Sequence, residues 1–266
     1  MPGRPRVYKT EGIVLRRRNA SEADSVFTLF ARDMGKFDAV ARGIRKARSH
    51  MRGHLEPLCR VRVLVAHGRT LDVFSQAEAI DSYRAIRDDL DRSAVALYCA
   101  ELIDRFAPER EDLPDLYDLA VELLEGLDAG APLHIARGFE ARLLAASGYD
   151  LQMDGCASCA AKLPEGDVWF SPAGGGFLCT GCRAGGGVGR SLSLRAAKVL
   201  RYARSAQLTS LASVRIDDAL HREIEAALGD AVRFALEAEP RSARFVHEVA
   251  ALYPPLPVPA PSGVQS

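Results

Sequence analysis

Leu58-Cys59-Arg60-Val61-Arg62-Val63-Leu64-Val65-Ala66 alternates with a period of two, so Cys59, Val61, Val63 and Val65 point one way and Arg60 and Arg62 the other. That is the signature of a strand with one buried face. Val7 to Leu15, Ser25 to Ala31, Lys36 to Ala41 and Leu71 to Ala77 are also short and rich in Val, Phe and Leu. Turn-forming segments such as Asp33-Met34-Gly35 and His67-Gly68-Arg69 separate them. Five such strands within the first 80 residues predict a small closed or partly open barrel. The OB-fold is the commonest nucleic-acid-binding version, with a small sandwich as the alternative. Tyr8, Phe27, Phe37 and Phe74 could stack on bases from such a barrel, but they fit its core better.

From residue 81 the period becomes helical. Val95, Tyr98, Cys99, Leu102, Ile103 and Phe106 fall at i, i+3, i+4, i+7, i+8 and i+11, and Leu116, Leu119, Ala120, Leu123, Leu124 and Leu127 repeat the template. A third stripe holds Ile135, Gly138, Phe139, Arg142, Leu143 and Ala146, with an arginine where an apolar residue is expected. Arg142 reads either as an edge residue that snorkels or forms a salt bridge, or as a charge beside an apolar pocket that takes a partner's carboxylate. Further stripes are Ala196, Val199, Leu200 and Ala203, capped by Ser193, and Ile224, Ala227, Leu228, Ala231, Val232 and Ala235. The fold class is therefore α+β. The partition is a barrel over 1–80, a helical domain over 81–155, an insertion over 156–190, the helical domain resumed over 191–250, and a proline-rich tail over 251–266.

With 48% apolar and 26% charged residues over 266 positions, the chain is globular rather than disordered. No apolar segment follows Arg4, Arg6 and Lys9, so the start does not read as a secretory signal. The uncharged run Val249 to Ser266 carries prolines at 254, 255, 257, 259 and 261, which excludes a membrane helix and predicts an extended tail. The zero net charge hides an asymmetry. Residues 1–80 hold 16 Lys/Arg against 8 Asp/Glu, residues 81–155 hold 7 against 17, and residues 156–266 hold 12 against 10. The basic part would attract anions, while the acidic block reads as a solvated surface or a face that repels nucleic acid.

Cys156-Ala-Ser-Cys159 and Cys179-Thr-Gly-Cys182 form two C-x-x-C knuckles with 19 residues between the inner cysteines. Four thiolates can close a tetrahedron around zinc, and the spacer Val168-Trp169-Phe170-Ser171 through Phe177-Leu178 reads as a short hairpin. A thioredoxin-type redox pair and an iron–sulfur cluster fit less well. Four protein ligands leave no open position, so one structural zinc is expected, stapling a segment with little core of its own. Cys59 and Cys99 read as compact core residues. Thiols in this pattern suit a reducing compartment, so a cytoplasmic protein is expected, and one that binds DNA there would be nucleoid-associated.

Arg42-Gly-Ile-Arg45-Lys46-Ala-Arg48-Ser49-His50-Met-Arg52 places five basic residues in eleven positions with no acid between them. In an OB-like barrel such a loop flanks the binding face, where positive charge tracks a phosphate backbone. Arg16-Arg17-Arg18 adds a second cluster. The candidate DNA contacts are Arg16, Arg17, Arg42, Arg45, Lys46, Arg48, Arg52 and Arg69. A nucleic-acid-processing zinc enzyme and a transcription regulator are the alternatives. Against them, no acidic or histidine cluster, phosphate-cradling glycine loop or nucleophile set accompanies the basic segment, and no helix-turn-helix stands out.

The order Val40-Ala-Arg42-Gly43, Arg45-Lys46-Ala-Arg48-Ser49, Leu55-Glu56-Pro57, Gly68-Arg69-Thr-Leu71, Ala77-Glu78, Phe139-Glu-Ala-Arg142-Leu143-Leu144 and Gly148-Tyr149, then the first C-x-x-C, resembles the bacterial recombination mediator family RecO. The resemblance runs from Val7 to about Val249 and includes Arg241-Ser-Ala-Arg244-Phe245. It implies an N-terminal OB-fold, a helical domain and a zinc knuckle inserted between helices. It also implies a protein that is not an enzyme. Such a protein binds single- and double-stranded DNA, anneals complementary strands and acts with RecR to load RecA on DNA coated by single-stranded-DNA-binding protein. By the same resemblance Arg42, Arg45, Lys46, Arg48 and Arg52 are DNA contacts. Arg142, with Phe139 beside it, is the candidate grip on the acidic C-terminal tail of the coat protein.

Overall fold

The computed structural model describes residues 7–252. Strands β1 (Val7–Asn19), β2 (Ser25–Ala31), β3 (Gly35–Ala41), β4 (Arg60–Ala66) and β5 (Asp72–Asp81) close a barrel in the order β1-β2-β3-β5-β4. All pairings are antiparallel except the short β3–β5 contact at Ala39–Asp72 and Val40–Val73, so the barrel is of the OB type and the sandwich is excluded. The barrel closes because β1 pairs with β4 through Val7–Ile13 and with β2 through Gly12–Asn19, changing register at a bulge between Val14 and Arg16. At the overlap, a Cβ on Gly12 would lie 2.8 Å from Leu29 Cγ and from the Phe30 carbonyl oxygen, so only glycine fits there.

Alternation along the strands sorts the apolar residues into two cores. Val14, Phe27, Leu29, Phe37, Cys59, Val61, Val63, Val65 and Phe74 fill the barrel interior. Ile13, Leu15 and Phe30 face the opposite way and join the helical core. Phe27, Phe37 and Phe74 are thus withdrawn from any stacking surface, and Tyr8 alone of the four is partly exposed.

The helical body comprises α1 (Arg84–Asp88), α2 (Leu90–Phe106), α3 (Pro114–Asp128), α4 (Ile135–Ala146), α5 (Leu194–Ser205), α6 (Leu208–Leu211), α7 (Asp218–Leu236) and α8 (Arg241–Leu252). Caps fall where side chains can bond the first free N–H groups: Asp89, Ser193 and Asp217 accept from Arg92, Ala196 and Leu220. Helix α8 carries the chain through Val249 to Leu252, so the start expected for the tail is helical; residues 253–266 lie outside the described residues. Between α4 and α5 the insertion forms a three-stranded sheet, β7 (Gly176–Leu178), β6 (Val168–Ser171) and β8 (Arg190–Leu192), one strand more than the expected hairpin. It is also better packed than expected. Phe170, Phe177, Leu178 and Leu192 are buried and continuous with the helical core.

Part of the acidic block lies against the barrel. Arg16 and Lys36 both pair with Asp104, at 2.8 and 3.5 Å. Arg32 makes a two-pronged contact with Asp118 at 3.0 and 2.8 Å, and Arg60 bridges Glu11 at 2.6 Å and Glu125 at 3.4 Å. Arg110 reaches from the α2–α3 connection to the buried Asp72 at 2.8 Å. The acidic surface expected to be solvated or repulsive is, at these positions, the complement that fixes the barrel on the helices.

Candidate nucleic-acid interface and metal centre

The 42–59 connection between β3 and β4 is ordered by a few inward side chains. Ile44 and Leu55 are fully buried and Met51 packs on the barrel core. Asp24 accepts from Gly43 N at 2.7 Å, and tight turns follow, with Lys46 N donating to Gly43 O and Ser49 N to Lys46 O. With its apolar residues inside, the loop turns its basic residues outward. Arg42, Arg45, Lys46, Arg48 and Arg52 are all exposed. Arg45 donates to the Ser21 carbonyl oxygen at 2.8 Å, while among the described residues Arg42, Lys46, Arg48 and Arg52 have neither side-chain hydrogen bond nor ion pair. Arg69, in the β4–β5 connection, is likewise exposed and unpaired among the described residues.

The second basic cluster is different. Arg16 is held by Asp104, Arg18 by Asp38 at 2.5 Å, and Arg17 donates to Ser25 Oγ at 3.2 Å while lying 5.5 Å over the Phe27 ring. Arg16 is a clamp between the two halves of the molecule rather than a free cation.

At the entrance to β5, Asp72 collects Tyr8 Oη at 2.7 Å, Arg110 at 2.8 Å and His67 Nδ1 at 3.3 Å. Burial alone would raise its carboxyl, but hydrogen bonds from Arg110, Tyr8 and His67 outweigh this and lower it to about 2. Burial, and then the same contact with Asp72, push the Tyr8 phenol up. The arrangement locks the helical connection onto the barrel.

In the insertion, Cys156, Cys159, Cys179 and Cys182 place their sulfurs within 4.8 Å of one another, with Cys159 and Cys179 Sγ 3.7 Å apart. A tetrahedron of thiolates with metal–sulfur bonds near 2.3 Å has edges of about 3.8 Å, so the cluster fits a four-coordinate metal ion and is compatible with zinc. Each knuckle is a turn: Ala160 N donates to Cys156 O, and Cys182 N and Arg183 N to Cys179 O. The Ala157 N–H to Phe177 O bond at 2.8 Å ties the first knuckle to β7.

Arg142 and Phe139, the expected partner contacts, stand in different surroundings on α4. Phe139 is completely buried. Arg142 bonds Glu122 Oε2 at 3.4 Å, and Glu122 in turn accepts from Leu208 N at 2.7 Å, so Arg142 is the edge salt bridge of a helix-capping network. Five residues earlier, about 140° round α4, Arg137 lines a cavity of about 330 Å³ between α2, α4, α7 and α8. Tyr98, Gly229, Val232, Ala243 and Val246 make its apolar walls, with Arg222, Glu225 and His247 beside them. Arg137 is 5% exposed, pairs with Glu140 at 3.2 Å and Glu225 at 3.6 Å, and has no partner for Nε among the described residues. Burial pushes the Glu140 carboxyl up against the pull of Arg137. The sequence reading missed both; the i, i+3 spacing of Arg137 and Glu140 on a helix was the available signal.

The barrel with its exposed cationic loop and the helical body with its four-cysteine ribbon define an OB-fold protein whose loop suits an anionic ligand. The family model described as recombination protein O N terminal matches residues 6–83, and the one described as recombination protein O C terminal matches residues 87–244. The chain belongs to the RecO family of DNA repair proteins. It is 38% identical to the DNA repair protein RecO of Roseiflexus sp. (strain RS-1) over 92% of this chain and 87% of that one. It is 39% identical to the namesake of Desulforudis audaxviator (strain MP104C), over 91% and 97% of the two chains. The RecO of Dehalococcoides mccartyi (strain CBDB1) is 35% identical, over 90% and 94%. No helix among the described residues is long and apolar enough to cross a membrane.

Proposed function

We propose that this chain is a DNA-binding recombination mediator that anneals complementary single strands and, with RecR, helps load RecA on DNA coated by single-stranded-DNA-binding protein. The observation that carries this reading is the ordered loop of outward, unpaired cations on an OB barrel. Arg42, Lys46, Arg48, Arg52 and Arg69, with Arg45, neutralise phosphates and release counterions, giving tight but sequence-tolerant binding. Two strands held against one positive loop lose much of their mutual repulsion. Because Phe27, Phe37 and Phe74 are core residues, the barrel does not hold bases on those rings, and their pairing edges stay free for the complement. This is binding work with no bond made or broken, so no catalytic set is required.

In this reading the metal is zinc, bound by Cys156, Cys159, Cys179 and Cys182. It supplies cross-links that hold two knuckle turns together and, with all four positions taken by thiolates, performs no chemistry on DNA. The acidic C-terminal tail of the coat protein binds at the Arg137 cavity, whose apolar walls and exposed Arg222, without an ion pair among the described residues, suit a peptide ending in a carboxylate. The protein works in the cytoplasm, at the nucleoid. The test is annealing of two complementary oligonucleotides at two salt concentrations. Wild type should anneal them with strong salt dependence, and a variant with Arg42, Arg45, Lys46 and Arg48 changed to Ala should not. Equal annealing by both, or none by wild type, overturns the reading.

A further inference from the structure

The Arg137 cavity has one wall built by α8, and the chain leaves α8 at Leu252 with the sequence Tyr253-Pro-Pro-Leu256-Pro-Val258-Pro-Ala-Pro261. We infer that this proline-rich segment is an intramolecular ligand of the cavity and competes there with a partner's peptide. Chemical complementarity is the first argument. The segment carries no charge, and prolines at 254, 255, 257, 259 and 261 have no N–H, so it presents carbonyl acceptors and apolar rings with few donors. The cavity offers the converse, with apolar walls at Val232, Ala243 and Val246 and the donor Nε of a buried arginine lacking a partner among the described residues. An unpaired buried donor is costly, and a prolyl carbonyl would satisfy it.

Reach is the second argument. His247, on the cavity rim, precedes Leu252 by five residues, which is about 7.5 Å along a helix. Nine residues at about 3.1 Å each span about 28 Å, enough to turn back across the rim. Proline-rich segments also lose little conformational entropy on docking in an apolar groove.

A tethered ligand acts at an effective concentration of about 1 mM. If the free segment binds with Kd near 0.3 mM, the cavity is open about a quarter of the time, and a competing peptide binds about fourfold more weakly. The competition rests on the assignment of the coat protein's tail to this cavity; the docking does not.

The test uses two full-length chains, native and one with residues 253–261 replaced by a Gly-Ser run of equal length. Two fluorescent peptides serve as probes: residues 253–266 of this chain, and the last nine residues of the single-stranded-DNA-binding protein from the same cell. The Gly-Ser chain should bind the 253–266 peptide about fourfold more tightly than the native chain does. The coat-protein peptide should bind the Gly-Ser chain about fourfold more tightly. Binding of the 253–266 peptide to neither chain, or equally to both, overturns the inference. If that peptide discriminates as expected and the coat-protein peptide binds neither chain, docking stands and the partner assignment falls.

Discussion

Replacing Arg42, Lys46, Arg48 and Arg52 together by Ala removes four exposed cations that have no protein partner among the described residues, so their charge is free to neutralise phosphates. Each contact to single-stranded DNA contributes about 0.7 to the slope of log K against log salt, so the variant's slope is shallower by about 3. Between 50 and 200 mM salt, the wild type therefore loses about 50-fold more affinity than the variant. Fluorescence anisotropy of a labelled oligonucleotide over that range measures both slopes. Ile44, Met51 and Leu55, which anchor the loop, are untouched, so circular dichroism and melting temperature stay at wild-type values. Arg16→Ala is the internal contrast: Arg16 belongs to the same charge excess but is bound to Asp104 at 2.8 Å. Its slope should match the wild type within about 0.5, because a guanidinium already paired releases few counterions. An unchanged slope in the fourfold variant, or an equal drop in Arg16→Ala, would refute the reasoning.

Purified protein should carry one zinc per chain by elemental mass spectrometry, and Cys159→Ser should lose it. The loss should cost about 3 kcal/mol in denaturant unfolding without abolishing the fold, because Phe170, Phe177 and Leu192 still anchor the ribbon. Asp72 titrates at about 2 when folded, below its unfolded value of 3.8, so its contribution is complete above about pH 4 and fades as pH falls toward 2. Asp72→Asn should therefore be less stable by roughly 1–2 kcal/mol at pH 7, with the gap closing near pH 2 in urea titrations. Phe139→Ala should cost about 3–5 kcal/mol of stability, since the ring is wholly buried. A variant that keeps wild-type stability but loses only partner binding would contradict its place in the core.

The barrel was readable where a strand is buried on one fixed face, as β4 is, whereas β2 is buried on both. Cys59, Val61, Val63 and Val65 alternate with Arg60 and Arg62, and the structure puts the first set inside. The end of β1 was not readable: Arg16-Arg17-Arg18 carries no apolar alternation, and the strand persists there because β2 supplies backbone partners as far as Asn19. In the same way, the stripe on α4 revealed a buried face but not which arginine meets a cavity. That depends on α7 and α8, which arrive about eighty to a hundred residues later. Charge shows the limit most clearly. Composition gives the first 80 residues an excess of basic over acidic groups, yet Arg16, Arg32, Lys36 and Arg60 meet carboxylates at positions 104, 118 and 125. What distinguishes the loop of residues 42–52 is not only its five cations in eleven positions but that none of them forms an ion pair among the described residues, a property of the assembled surface. The same basic excess thus serves two ends, binding the barrel to the helices and leaving one loop unneutralised. Only packing between distant segments decides which arginine does which.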